Sequence, residues 1–186
     1  MDRTPGTNAI RQRLDNLNEA GSLYGAIIYQ KAPIVMRQLE MLLGEDIFRE
    51  GMREYLKTYA FGNATWTELI DLLDKRTPQD LAAWSHAWVD ERGRPTIATE
   101  VSLGRDVETN GARSVSLGIS QKDPYDARGL VWSQPLAVGV AYPNKAVVTP
   151  VPLDRERVQV QVGGGPAGVP LFVLPNWDGV AYGNFV

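Results

Sequence analysis

Apolar residues in the first half of the chain recur at three- and four-residue spacing, whereas in the second half they alternate with polar ones. The first pattern is that of helices with one buried face, the second that of half-buried strands. Val35, Met36, Leu39, Leu42 and Leu43 form one such helix face. Pro33 has no N–H and would clash with the preceding turn in mid-helix, so it belongs to a first turn. The helix is predicted to begin near residues 30 to 32 and to close at Gly44, with Tyr29 at or just before its N-terminus. A phenol in that place either packs at the mouth of the helix or projects from it into a cleft.

The same reasoning lays out the other helices. Thr7 is expected to cap a helix carrying Ile10, Leu14 and Leu17 and stopped by Gly21. Glu45 and Asp46 place negative charge at the start of a helix whose apolar stripe is Phe48, Met52, Tyr55, Leu56 and Tyr59, ended by Gly62. Thr65-Trp66-Thr67-Glu68 is a capping box opening a helix that buries Leu69, Leu72 and Leu73. Thr77-Pro78 reads as a cap and first-turn proline, with Leu81, Trp84 and Trp88 inward, and Gly93-Arg94-Pro95 closes the helical half. Short connections predict antiparallel neighbours in αα-hairpins.

From Pro95 onward the strand grammar takes over. Runs at 96–101, 114–120, 136–142, 146–151, 157–162, 170–174 and 179–186 read as strands. Val158, Val160 and Val162 alternate with Gln159 and Gln161, giving one buried and one wet face, and Pro143-Asn144 predicts a turn between paired strands. Six or seven short strands at this spacing suggest a β-sandwich of roughly 90 residues. The predicted fold is therefore α+β in two domains: an α-helical bundle of αα-hairpins over 1–94, then an antiparallel β-sandwich over 95–186 that is cut short at its C-terminal end.

Composition narrows the function classes. With 44% hydrophobic residues among 186, the chain can build a substantial core. A net charge of −3 without a basic cluster argues against nucleic acid as a partner. No apolar run approaches the roughly 18 residues that span a bilayer, and the polar opening Met1–Pro5 does not look like a signal peptide. Without cysteine there is no thiolate ligand, thiol nucleophile or disulfide. His86 is the only histidine, whereas zinc needs three or four protein ligands, so His86 reads as structural and no zinc site can be assembled from this chain alone. There is no Gly-x-Ser-x-Gly elbow; Gly163-Gly164-Gly165-Pro166 lacks the Lys-Ser/Thr of a phosphate loop and reads as a connection. Glu45-Asp46 is helix-end charge rather than an acid–base pair, and Asn63-Ala64-Thr65 matches a glycosylation acceptor whose Thr65 already serves as a cap. Trp84, Trp88, Trp132 and Trp177 read chiefly as buried structural residues.

The block Tyr29-Gln30-Lys31-Ala32-Pro33-Ile34-Val35-Met36-Arg37-Gln38-Leu39, followed by Leu42-Leu43-Gly44-Glu45-Asp46-Ile47-Phe48-Arg49, resembles the aminopeptidase N family of zinc metallopeptidases, the gluzincin aminopeptidases. That family shows Tyr-x-Lys-Gly, an apolar helix, then Leu-Gly-Glu and a Phe. The stretch from Tyr55-Leu56 to Gly62-Asn63-Ala64-Thr65 is similar to its Tyr-Leu … Tyr-Gly-Asn-Ala-Thr segment. Trp88 with Gly93-Arg94-Pro95 resembles the end of its catalytic helices, and Asn176-Trp177-Asp178-Gly179 with Tyr182 more loosely resembles the last strands of its β-sandwich. The resemblance runs in register over almost the whole chain.

The resemblance implies a parent that hydrolyses N-terminal residues from peptides with a zinc-bound water, its His-Glu-x-x-His helix and later glutamate lying upstream of Met1. Tyr29 matches the family's catalytic tyrosine, which donates a hydrogen bond to the oxyanion of the tetrahedral intermediate. Ala32-Pro33 departs from the family's Gly; it is compatible with the same helix start and also with a divergent branch of altered substrate choice or lost catalysis. The chain is thus expected to be a C-terminal piece of a larger enzyme, without cofactor and inactive alone, zinc belonging to the full-length parent. Its implied partners are peptide substrates and the remainder of the same polypeptide, with no nucleic acid and no membrane span. The alternative is a catalytically dead scaffold or peptide-binding module. An exported bacterial parent is compatible with this, but no compartment is fixed.

Overall fold

Pro33 sets the first described helix. The chain enters through a π-helical turn, Ile27–Lys31, and passes without a break into α1, Ala32–Leu43, with Pro33 in its first turn. The helical path thus starts upstream of the predicted residues 30 to 32, and Tyr29 lies inside it. Proline cannot close the α-helical bond back to residue 29, and its ring crowds that carbonyl, so the wider π turn fits there. The structure is a computed structural model that describes residues 7–13, 16, 18, 21, 25, 27–104, 114–125, 128–163 and 169–186.

The chain divides into two units, Met1–Gly93 and Arg94–Val186. In the first, α1 buries Val35, Gln38, Leu39 and Leu43, while Met36 and Leu42 are half-buried. Gly44 alone, at φ 83, links α1 to α2 (Glu45–Thr58), which is shorter than the two to five residues of an αα-hairpin. The hairpin expectation therefore fails for this pair. Helix α2 ends at Thr58, not at Gly62: Tyr59 caps it and Phe61 turns the chain at φ 61 with its ring exposed. Only Gly51 of α2 is buried, and of its predicted stripe Leu56 is exposed. A Cβ on Gly51 would stand 2.3 Å from Leu73 Cδ2, so α2 meets α3 (Trp66–Asp74) backbone to side chain.

The capping box on α3 is present in full: Glu68 N donates to Thr65 Oγ1 (3.3 Å) and Thr65 N to Glu68 Oε2 (2.7 Å). Leu69, Ile70 and Leu73 are its buried residues, Ile70 standing where Leu72 was expected. Helix α4, Leu81–Ser85, is capped by Asp80 rather than Thr77, because Asp80 Oδ1 accepts from Ala83 N at 2.8 Å. It runs into a second π turn, His86–Asp90, and Leu81, Trp84 and Trp88 are buried. Residues 7–13 form no helix: Ile10 N and Arg11 N both donate to Val89 O, at 3.1 and 3.0 Å, which holds them against the second π turn. Gly21 is itself helical rather than a stop, and Leu14 and Leu17 lie outside the described residues.

Among the described residues, the second unit has seven strands: β1 Thr96–Leu103, β2 Val115–Lys122, β3 Gln134–Tyr142, β4 Lys145–Leu153, β5 Arg157–Val162, β6 Phe172–Leu174 and β7 Asn184–Phe185. They form a four-stranded sheet, β5-β2-β1-β7, and a three-stranded sheet, β4-β3-β6. Alternate residues from both sheets enclose one core, including Ile97, Leu117, Ile119, Leu136, Val138 and Leu153. Pro143 and Asn144 form the two-residue link between paired Tyr142 and Lys145. Pairing is antiparallel except for β7, which runs parallel to β1. Beyond Gly163, the glycine-rich loop lies outside the described residues.

The last segment is only briefly a strand because side-chain amides take over its backbone bonds. Buried Gln134 donates to Tyr182 O (3.0 Å) and accepts from Tyr182 N (2.8 Å), and Asn176 exchanges two 3.1 Å bonds with Ala181. Trp177 covers Gly139, where a Cβ would approach the indole to 2.0 Å, so glycine is required there. Trp132 is fully buried as expected, whereas Trp177 is 39% exposed.

Asp123 pins the loop after β2, accepting from Tyr125 N (2.9 Å), Leu130 N (3.2 Å) and Arg128 Nη2 (2.7 Å). Burial opposes its charge, but the Arg128 guanidinium and the two backbone N–H donors outweigh burial and hold its carboxyl below the usual range.

Two stability predictions follow from these contacts. Gly51→Val should destabilise the helical unit by about 1–3 kcal/mol, since a few tenths of a kcal/mol of helix propensity cannot offset overpacking against buried Leu73. A urea midpoint unchanged from wild type would refute the close α2–α3 approach. Because the folded carboxyl of Asp123 titrates lower than the unfolded one, its contribution is full above about pH 4 and is lost as pH falls through the depressed value. Asp123→Asn should cost about 1–3 kcal/mol at pH 7 and flatten the acid limb of stability below pH 4; an equally steep limb in urea titrations would count against this assignment.

Candidate functional site

Tyr29 is the third residue of the first π turn, and its N–H donates to Gly25 O at 3.1 Å. Its side chain is 68% exposed, so the phenol projects outward rather than packing at the helix mouth. Two residues on, Lys31 is 3% exposed, and its Nζ donates to the carbonyl of Gly93 at 3.1 Å. Sixty-two positions separate that donor and acceptor, which joins the first π turn to the end of the helical unit.

Ala32, Val35 and Met36 of α1 line an apolar crevice of about 280 Å³ with Ile10, Arg11, Trp66 and Val89. The second π turn forms one wall through Val89; Arg11 Nε pairs with Asp90 Oδ1 at 2.7 Å. Trp66 Nε1 donates to Ser85 Oγ at 2.7 Å, which fixes the indole at the crevice. Among the described residues that line it there is no carboxylate, hydroxyl or imidazole, so these residues can take up apolar groups but cannot transfer a proton.

His86 is exposed on the second π turn, with Asp90 and Glu91 as its neighbouring carboxylates at 4.0 and 3.7 Å. Among the described residues no group of three or more His, Cys, Asp or Glu could hold a metal ion. The donor set therefore does not fit zinc. Tyr59 is pushed above its ordinary value by desolvation, with Glu68, Tyr55 and Asp71 adding to it, but it lies on the α2–α3 connection. The structure thus brings Lys31, two residues after Tyr29, to Gly93, and sets His86 beside Asp90 and Glu91.

Sequence reasoning placed Tyr29 near a helix start but did not find the Lys31 anchor or either π turn. The signal for the anchor was present, since a lysine directly before an apolar helix face either reaches solvent or finds a buried acceptor. Nothing in residue spacing distinguishes a π turn from an α turn over five residues.

Comparison with known proteins bears on this geometry. Residues 1–88 match the Peptidase family M1 domain. The chain is 27% identical to aminopeptidase N of Streptomyces lividans over 180 residues, covering 93% of this chain and 20% of that protein. It is 33% identical to aminopeptidase N of Lactococcus lactis subsp. lactis (strain IL1403) over 101 residues, covering 54% of this chain and 12% of the relative. The crystal structure of Legionella pneumophila aminopeptidase A in complex with aspartic acid shares the fold over 83% of this chain and 17% of that one, with a TM-score of 0.65 and 20% identity. Residues 1–88 belong to peptidase family M1, and the chain is similar to aminopeptidases N over most of its length. It spans a fifth or less of the length of the relatives it matches.

Proposed function

We propose that this chain is part of a zinc-dependent aminopeptidase, with 1–94 as the helical end of its catalytic domain and 95–186 as the β-sandwich that follows. The observation that carries the reading is Tyr29: it stands at the family's Tyr-x-Lys position, on a π turn, with its phenol turned outward. When a peptide carbonyl is attacked, its oxygen gains negative charge, and a fixed O–H donor stabilises that charge more than it stabilises the ground state. Tyr29 supplies that donor. The described residues offer no set of zinc ligands, so on this reading the ligands come from elsewhere in the polypeptide, and the 186 residues alone are expected to be inactive. Peptides and the rest of the same polypeptide are the partners on this reading; nucleic acid is not.

One observation favours a second reading, a catalytically dead scaffold or peptide-binding module: Ala32-Pro33 stands where the family has Gly. The same experiment separates the two. In the zinc-containing enzyme that carries this segment, Tyr29→Phe should lower turnover at least about tenfold with unchanged zinc content, since loss of one oxyanion donor typically costs a hundredfold or more. Undiminished turnover would remove Tyr29 from the mechanism, and an enzyme without zinc or activity would support the scaffold.

A further inference from the structure

We infer that Lys31 is a positioning residue for Tyr29, acting through its bond to the Gly93 carbonyl; this rests on the reading of Tyr29 as the oxyanion donor. Tyr29 is mostly exposed, and the direction in which its side chain leaves the chain is set by the backbone of the π turn. A π turn holds one residue more than an α turn, which rotates whatever precedes it by about 100° relative to the helix behind. Helix α1 is fixed by its own buried face of Val35, Leu39 and Leu43. The turn before it has Lys31 as its last residue, and Lys31 is tied at 3.1 Å to a carbonyl just beyond the second π turn. That bond connects the segment bearing the phenol to the far end of the helical unit. Gly93 is buried, so loss of the donor leaves its carbonyl without this partner away from solvent.

A purely space-filling lysine would do none of this, and the absence of cysteine allows the two to be separated. Lys31→Cys is alkylated in the unfolded chain with bromoethylamine, which rebuilds the amine, or with bromopropane, which rebuilds only the volume. The readout is hydrogen exchange of the Tyr29 amide, with that of Leu73 as internal reference. Tyr29 protection should fall at least about tenfold in the cysteine and propyl forms and return in the aminoethyl form, with Leu73 unchanged in the forms that fold. Equal protection in the propyl and aminoethyl forms overturns the anchor, and that comparison stands even where the cysteine form does not fold. In the longer zinc enzyme, Lys31→Met should lower kcat at least about fivefold with KM within about twofold. Unchanged kcat beside an impaired Tyr29→Phe contradicts the positioning role. An unimpaired Tyr29→Phe instead contradicts the catalytic reading of Tyr29, while the exchange result still decides whether Lys31 holds the turn.

Discussion

Pro33 cannot donate a hydrogen bond, and the geometry of the helical unit around Tyr29 depends on that constraint. An ordinary helix through residues 27 to 43 would need a bond from residue 33 back to residue 29. The chain opens into a π turn instead, carrying Tyr29 outward and turning Lys31 inward to Gly93. The second π turn, His86–Asp90, takes part as well: Val89 receives Ile10 and Arg11 and lines the same apolar crevice as α1. Departures from α geometry are concentrated where the family resemblance is most specific, in keeping with π turns as sites of function.

The sheet unit is held by different means. Its core is ordinary alternation, but its last segment is kept by side-chain amides of Gln134 and Asn176 rather than by a long ladder. Gln121 does the same for the loop after β2, accepting from Trp132 N and donating to Arg155 O. Each amide has a donor and an acceptor at fixed separation, so it can substitute for a strand neighbour where the chain turns too sharply to pair. The outward faces of the two sheets also differ. Glu100 pairs with Arg157 on the larger sheet, whereas Val148, Phe172, Leu174 and Trp177 on and beside the smaller one are apolar and exposed.

Much of this was legible in the residues. The capping box at Thr65, the Gly44 stop, the Pro143-Asn144 turn and the wet and dry faces of β5 rest on local chemistry that tertiary contacts did not override. The misreadings trace to partners outside the element's own repeat, some a few positions away and some far along the chain. Residues 7–13 bond to Val89 rather than to each other, Leu81 N bonds to Asp74 Oδ1 as the chain turns into α4, and 179–183 answers to Gln134 and Asn176. The candidate site was half visible. Tyr29 and its motif could be read, but its outward direction and the buried reach of Lys31 could not, because both depend on a carbonyl 62 positions away.

The central claim, that the Tyr29 hydroxyl stabilises a developing oxyanion, is tested most directly by affinity rather than rate. A phosphinic peptide mimics the tetrahedral intermediate, whereas the amino acid product does not. In the zinc enzyme bearing this segment, Tyr29→Phe should weaken binding of the phosphinic peptide at least about tenfold and change product affinity by less than about twofold. Equal loss for both ligands, or no loss for either, would contradict the account.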